Sequence, residues 1–291
     1  MSDLSYLVAG AGGLIGSSLF EALKKSGAQV AGTTRRKERT GTGLRFLDLA
    51  DGNNIDIGSG RCSVAFLCAG ITSLAACEAD PGRTRLVNVT NTLLLARKLL
   101  GSGAKVVFLS SNAVFDGGTP HPDENCARCP VVEYGRQKAE VEEGLLSMGG
   151  GDNIIIVRIT KTLSARSGMA SEFLKHLQAG NPCMAFTDLL MSPISLGHVT
   201  GSLLAIASSG LSGIFHVSGS EELSYADFAG RLAASIGADP SLVRQCSSSD
   251  AGVKVLFSPR YPALGMERTS GALGIPPEPL EEMLANLSGE N

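Results

Sequence analysis

Gly10, Gly13 and Gly16 stand where an apolar run, Tyr6–Ala9, gives way to a segment whose apolar residues Ile15, Leu19 and Leu23 recur every four positions. The first pattern reads as a buried strand and the second as one face of a helix. A glycine-rich turn at such a junction constrains the chain strongly. Without a Cβ the backbone can turn tightly and let a ligand approach, and the helix start offers unpaired N–H groups and a favourable dipole to an anion. The motif predicts the first βαβ unit of a parallel sheet, with a dinucleotide pyrophosphate as candidate ligand. Gly10, Gly13, Leu14, Ile15 and Gly16 are the candidate contacts; a tight turn without a ligand is the bland alternative.

The following residues keep this rhythm. Strand-like runs at Gln29–Thr33, Leu44–Leu47, Ser63–Cys68, Lys105–Leu109 and Ile154–Arg158 alternate with helical patterns at Thr84–Leu100 and Tyr134–Met148. That alternation predicts an α/β fold with a Rossmann-type, doubly wound parallel sheet. Beyond Ile159 the pattern is less regular: helix signals at Ser171–Gln178, His198–Ala207, Tyr225–Ile236 and Leu280–Leu287, and a strand at Gly213–Val217. Ser224 and Asp227 resemble a capping box for the third of these helices. The segment Asn112–Glu133, rich in Gly, Pro, Asp and Asn, reads either as a loop covering a substrate or as a passive excursion.

Charge and cysteine usage narrow the partners. With 25 basic against 28 acidic side chains and no basic arm, nucleic acid is not an expected partner. The first strand begins at Ser5, leaving no room for a signal segment, and no apolar stretch reaches membrane-spanning length, so a cytoplasmic location without a membrane is expected. Seven cysteines, several in apolar runs, suit reduced thiols. Cys126 and Cys129 form a lone CxxC that could be redox-active or half a zinc site; no second ligand pair accompanies it, an incidental loop pair is the alternative, and no metal is expected.

Past the second strand an NAD-selective site would carry an acidic residue, yet the sequence here is Thr33-Thr34-Arg35-Arg36. Guanidinium groups suit an extra 2′-phosphate, so NADP(H) is preferred, with NAD(H) still open; a solvated turn is the competing reading of the arginines. Asp48 and Leu49 after the third strand, and Ala69 and Gly70 after the fourth, complete the candidate cofactor wall, with Asp48 also readable as a strand-end residue.

Ser110-Ser111 close the strand Lys105–Leu109, at the carboxyl edge where open α/β sheets bind ligands. Tyr134 and Lys138, four residues apart, share one helix face, and an ammonium beside a phenol favours its ionised form. Ser111 could hydrogen-bond a carbonyl oxygen while Tyr134 delivers a proton and Lys138 both orients the cofactor ribose and lowers the tyrosine pKa. These residues and the glycine turn together resemble the extended short-chain dehydrogenases/reductases, whose catalytic set is Ser/Thr, Tyr and Lys. Asn88 falls where that family carries an Asn that adjusts a helix near the active site; a surface helix residue is the alternative.

Four segments bring the resemblance closer to the dTDP-4-dehydrorhamnose reductases, within the NAD-dependent epimerase/dehydratase superfamily: Ser110–Gly117, Tyr134–Lys138, Asp188–Pro193 and Pro259–Leu264. The resemblance implies reduction of a nucleotide-linked 4-keto-6-deoxy sugar, with Asn112, Val114, Phe115 and Arg260 as candidate substrate contacts and Arg260 near the sugar diphosphate. It implies a dinucleotide-binding domain over residues 1–160 to which 182–210 return, and a smaller α/β substrate domain from 161–181 and 211–291. A homodimer is compatible with it. The chain departs from the pattern at Asn112-Ala113, where an acidic residue and a Tyr are usual, and at Leu189, Met191 and Ile194, where Gln, Gly and Thr are usual. An epimerase or dehydratase that regenerates its cofactor, and a non-catalytic regulatory subunit that binds NADP, are the alternatives.

Overall fold

A computed structural model describes residues 5–41, 43–52, 55 and 62–289. The described residues fall into two compact units, one within Met1–Phe115, Ala127–Arg158 and Thr200–Phe215, the other within Asp116–Cys126, Ile159–Val199 and His216–Asn291.

The first unit is built on a sheet of β1 (Ser5–Ala9), β2 (Gln29–Thr34), β3 (Leu44–Phe46), β4 (Val64–Leu67), β5 (Lys105–Ser111), β6 (Ile154–Ile159) and the strand Gly213–Val217. Their spatial order is Gly213–Val217, β6, β5, β4, β1, β2, β3. β1 pairs in parallel with both β2 and β4, and the parallel registers continue to β3 and β5. Every residue of β4 and β6 is buried, as expected of strands covered on both faces. The winding reverses between β1 and β4, and ligands of such sheets bind outside the carboxyl ends of the strands at that point.

α1 (Leu14–Lys25) follows β1 and buries Gly16, Leu19, Phe20 and Leu23, the face that the apolar spacing predicts. Between β4 and β5 come α2 (Leu74–Ala79), α3 (Pro81–Arg85) and α4 (Thr92–Gly101). The sequence predicts one uninterrupted helix over Thr84–Leu100; a π-helical turn at Leu86–Asn91 intervenes instead. Thr92 Oγ1 donates to the Val87 carbonyl, five residues back, at 3.0 Å. Asn88 and Asn91 are both interior, and Asn91 Nδ2 donates to Leu49 O at 2.8 Å. π-turns of this kind recur at functional sites. α5 (Glu133–Ser147) carries Tyr134 and Lys138.

The second unit has its own apolar cluster, gathering Phe173, Leu174, Leu177, Phe228, Leu232, Met283 and Leu287 from three helices. The capping box of Ser224 and Asp227 is present at the start of the helix Tyr225–Ser235. Residues 182–199, expected to return to the first unit, group with the second. Cys183–Phe186 pairs with Val243–Cys246, and Cys183, Ala185 and Met191 join the apolar cluster, so that segment packs locally. The chain re-enters the first unit at Thr200, where Ser18 and Thr200 share a 2.8 Å hydrogen bond.

Candidate active site

At the point where the winding reverses, a cleft of about 250 Å³ opens between the ends of β1, β2 and β4. Of the predicted cofactor residues, Gly10, Gly13, Thr34, Arg35, Asp48, Leu49, Ala69 and Gly70 line it; Leu14, Ile15, Gly16 and Asn88 do not. Thr33, Arg36, Cys68, Ile71 and Arg83 also line it. The Arg36 signal was present in the Arg35-Arg36 pair, whereas Arg83 comes from α3 and carries no local motif.

Sterics explain the glycines separately. Gly10 has φ of +91°, and a Cβ there would lie 2.6 Å from Ala69 N. At Gly16 a Cβ would lie 2.2 Å from the Gly10 carbonyl oxygen, so this residue serves the packing of α1 against the turn. A Cβ at Gly13 would meet nothing nearer than 3.5 Å, so its neighbours do not demand glycine there. Gly13 is the N-cap of α1 and supplies no side-chain cap to the first N–H groups. An open glycine, an uncapped helix start and three guanidinium groups fit a phosphate-bearing ligand. Thr33 Oγ1 accepts the Gly10 N–H at 3.0 Å and Thr34 Oγ1 accepts the Arg36 N–H at 3.2 Å, so both hydroxyls shape the wall of the cleft.

Ser111, Tyr134 and Lys138 come together beside it. The Ser111 hydroxyl lies beside the Tyr134 phenol and favours its ionised form. Ser111 Oγ also accepts the Ala113 N–H at 3.2 Å and donates to Asn112 Oδ1 at 3.3 Å. Lys138 Nζ donates to Leu109 O at 2.6 Å and lies 4.5 Å from the Phe108 ring centroid and 5.7 Å from that of Tyr134. Loss of water pulls the ammonium down from 10.5 to about 8, against the opposing pull of Cys68, Glu142 and Cys77.

The tyrosine differs from expectation. Burial pushes the Tyr134 phenol well above 10; the charge of Cys77 adds to the rise and the Ser111 hydroxyl opposes it. An ionised phenol at neutral pH is thus not what this pocket favours, because desolvation outweighs the help that Ser111 gives the charged form. A protonated phenol is a proton donor. Cys68, at the cleft wall, is pushed up to about 12 by burial, which removes it as a nucleophile.

Behind the strand end lies a buried charged cluster that the sequence did not reveal. Glu142, one turn beyond Lys138 on α5, is fully buried and accepts from Ser110 Oγ at 2.5 Å and from Arg158 at 2.7 to 3.2 Å. Arg128 reaches the same carboxylate at 3.5 Å, and the Arg158 guanidinium lies 5.0 Å from the Phe115 ring centroid. A buried carboxylate and guanidinium are tolerated only as such a satisfied group. The apolar run of β6 disguises Arg158, its one polar residue.

The predicted substrate contacts separate. Asn112 is half-buried beside Ser111. Val114 is fully buried and its carbonyl accepts the Cys129 N–H at 2.9 Å, while Phe115 is buried against Arg158; both side chains pack the interior, which corrects their reading as sugar contacts. Arg260 belongs to the second unit, exposed, with its guanidinium 5.3 Å from the Tyr261 ring centroid. Met191 and Ile194 are buried, so at these two positions the departures from the reductase pattern add apolar core. Among the described residues no group of His, Cys, Asp and Glu is arranged to hold a metal, and no helix is long and apolar enough to cross a membrane.

The chain matches the family described as RmlD substrate binding domain over residues 4–290. It is 28% identical over 290 residues to "Probable low-salt glycan biosynthesis reductase Agl14" of Haloferax volcanii, covering 96% of each chain. It is 27% identical over 296 residues to the dTDP-4-dehydrorhamnose reductase of Mycolicibacterium smegmatis, covering 97% of this chain and 86% of the relative. Its fold is similar to that of the Bacillus anthracis dTDP-4-dehydrorhamnose reductase, solved in complex with NADP, with a TM-score of 0.83 at 20% identity over 99% of each chain.

Proposed function

The chain belongs to the RmlD substrate binding domain family, and from that membership we propose that it is an NADP(H)-dependent reductase of a nucleotide-linked 4-keto-6-deoxy sugar. The observation that carries the reading is the gathering of Ser111, Tyr134 and Lys138, with the Lys138 ammonium 5.7 Å from the tyrosine ring centroid, beside a cleft rimmed by Arg35, Arg36 and Arg83. The relative named dTDP-4-dehydrorhamnose reductase supports the substrate class, and the NADP complex of the structural neighbour supports the cofactor.

Gly10 and Gly13, with the start of α1, would hold the pyrophosphate, and the arginines at the rim would hold a 2′-phosphate. Bound there, NADPH supplies a hydride for the carbonyl carbon. The work of the chain is at the carbonyl oxygen. Tyr134 keeps its proton at neutral pH and holds it at Oη for that oxygen; Ser111 Oγ hydrogen-bonds the same oxygen and fixes its direction. After transfer a phenolate remains, and the Lys138 ammonium, tethered to Leu109 O, stabilises it. A phenol whose proton is held tightly suits reduction better than the reverse oxidation.

NADPH oxidation measured with a panel of nucleotide 4-keto-6-deoxy sugars tests the proposal. At least one should be turned over by the wild type and none appreciably by Tyr134→Phe. Tight NADPH binding without turnover of any of them would leave a non-catalytic cofactor-binding protein in its place.

A further inference from the structure

Gln137 stands between the two candidate catalytic side chains of α5, and the reaction outlined above gives it no task. It is fully buried. A buried primary amide is costly unless its donors and its acceptor are all used. Here they are: Nε2 donates to Thr84 Oγ1 at 2.9 Å and to Glu133 Oε1 at 3.0 Å, and Oε1 accepts from Asn88 Nδ2 at 2.8 Å.

Asn88 continues the chain. Its Oδ1 accepts the Ile71 N–H at 2.7 Å and its Nδ2 donates to the Ile71 carbonyl at 2.9 Å, engaging both main-chain polar groups of one residue. Ile71 lines the dinucleotide cleft. The orientation of both amides is determined from the two ends. The Ile71 N–H can only donate, which requires Asn88 Oδ1 to face it; the Glu133 carboxylate can only accept when ionised, which requires Gln137 Nε2 to face it. The two remaining amide groups then match each other as donor and acceptor. Asn88 emerges from the π-helical turn, the feature that separates α3 from α4.

We infer that Gln137 is a positioning residue: with Asn88 it forms an amide latch that ties the cleft wall at Ile71 to the turn of α5 carrying Tyr134 and Lys138. This rests on the reading of the cleft as the NADP(H) site. Filling the cleft restrains Ile71, and the latch passes that restraint to α5, so that the phenol is fixed in place when cofactor is present. The coupling is reciprocal by linkage.

No residue of α5 lines the cleft, which allows a clean test. Adenosine 2′,5′-bisphosphate carries the adenosine end of the cofactor and lacks the nicotinamide ribose that Lys138 would touch. Hydrogen exchange of the α5 amides is measured with and without it, in wild type, in Gln137→Met and in Asn88→Asp. In wild type the ligand should slow exchange in 133–147 by at least roughly fivefold, a typical lower bound for coupled sites. Both variants should bind the ligand and lose most of that slowing. A residue that serves stability alone would lower Tm and leave the ligand-induced slowing intact. Binding without slowing in wild type, or equal slowing in Gln137→Met, overturns the latch while leaving the cofactor reading in place. Absence of any binding overturns both. The wild-type measurement decides the matter even if a variant does not fold.

Discussion

Raising the pH through 8 should disable cofactor use by discharging one lysine. Lys138 is held against Leu109 O between two aromatic rings, and loss of water pulls its ammonium down from 10.5 to about 8. About nine molecules in ten then carry the charge at pH 7, and about one in ten at pH 9. The folded value lies below the unfolded one, so keeping the group charged in its pocket costs stability at neutral pH, at most roughly 3 kcal/mol. That cost fades as the pH rises from about 8 towards 10.5, because over this interval the unfolded chain binds the proton more tightly. Function is lost over the same interval, so activity falls while this contribution to stability rises. Tyr134, pushed above 10, stays protonated and adds no step there. The assay is kcat/KM for NADPH from pH 6.5 to 10, which reports groups of the free enzyme. Wild type should fall roughly tenfold per unit above about pH 8, and Lys138→Arg, whose charge is permanent, should be slower but flat. A wild-type profile level to pH 10, or the same midpoint in Lys138→Arg, would refute the reasoning.

Three further outcomes follow from the geometry. Arg35→Ala should weaken NADPH binding by about tenfold, the value of one charge-assisted phosphate contact, and leave NADH binding unchanged when both are followed by cofactor fluorescence. Gly16→Ala brings a Cβ to 2.2 Å from the Gly10 carbonyl oxygen; backbone cannot swing away as a side chain can, so a loss of roughly 1–3 kcal/mol in urea unfolding is expected, with a smaller NADPH-induced rise in Tm. Glu142→Gln leaves Arg158 without its counter-charge and should cost about 3–5 kcal/mol. It also removes a negative charge that supports the Lys138 ammonium, so the pH midpoint should move below 8.

The architecture of the first unit was legible because its strands are apolar runs bounded by turns, and because Gly10 and Gly16 are demanded by backbone contacts that no other residue satisfies. Ser111, Tyr134 and Lys138 were legible through spacing alone, one at a strand end and two on one helix face. The charge state of the phenol was not. Spacing reports the nearby ammonium but is blind to burial, and burial wins. Likewise the π-turn leaves no mark in the apolar spacing of Leu93, Ala96 and Leu99, yet it accompanies Asn88 and Asn91 in the interior. Arg158 and Glu142 lie 16 residues apart on different elements, so only the folded chain reveals them as a pair. Val114 and Phe115 were misplaced because a motif identifies a segment and not which way each side chain points.

The central claim is a hydride delivered to a sugar carbonyl while Tyr134 protonates its oxygen. Deuterium tracing tests it most directly: wild type is incubated with NADPH deuterated on the transferred face and a nucleotide 4-keto-6-deoxy sugar, and the product is read by mass spectrometry and NMR. The account predicts one deuterium, at sugar C4, in wild type and almost no product from Tyr134→Phe. Product without deuterium at C4, deuterium drawn from solvent at a neighbouring carbon, or normal labelling by Tyr134→Phe would contradict it.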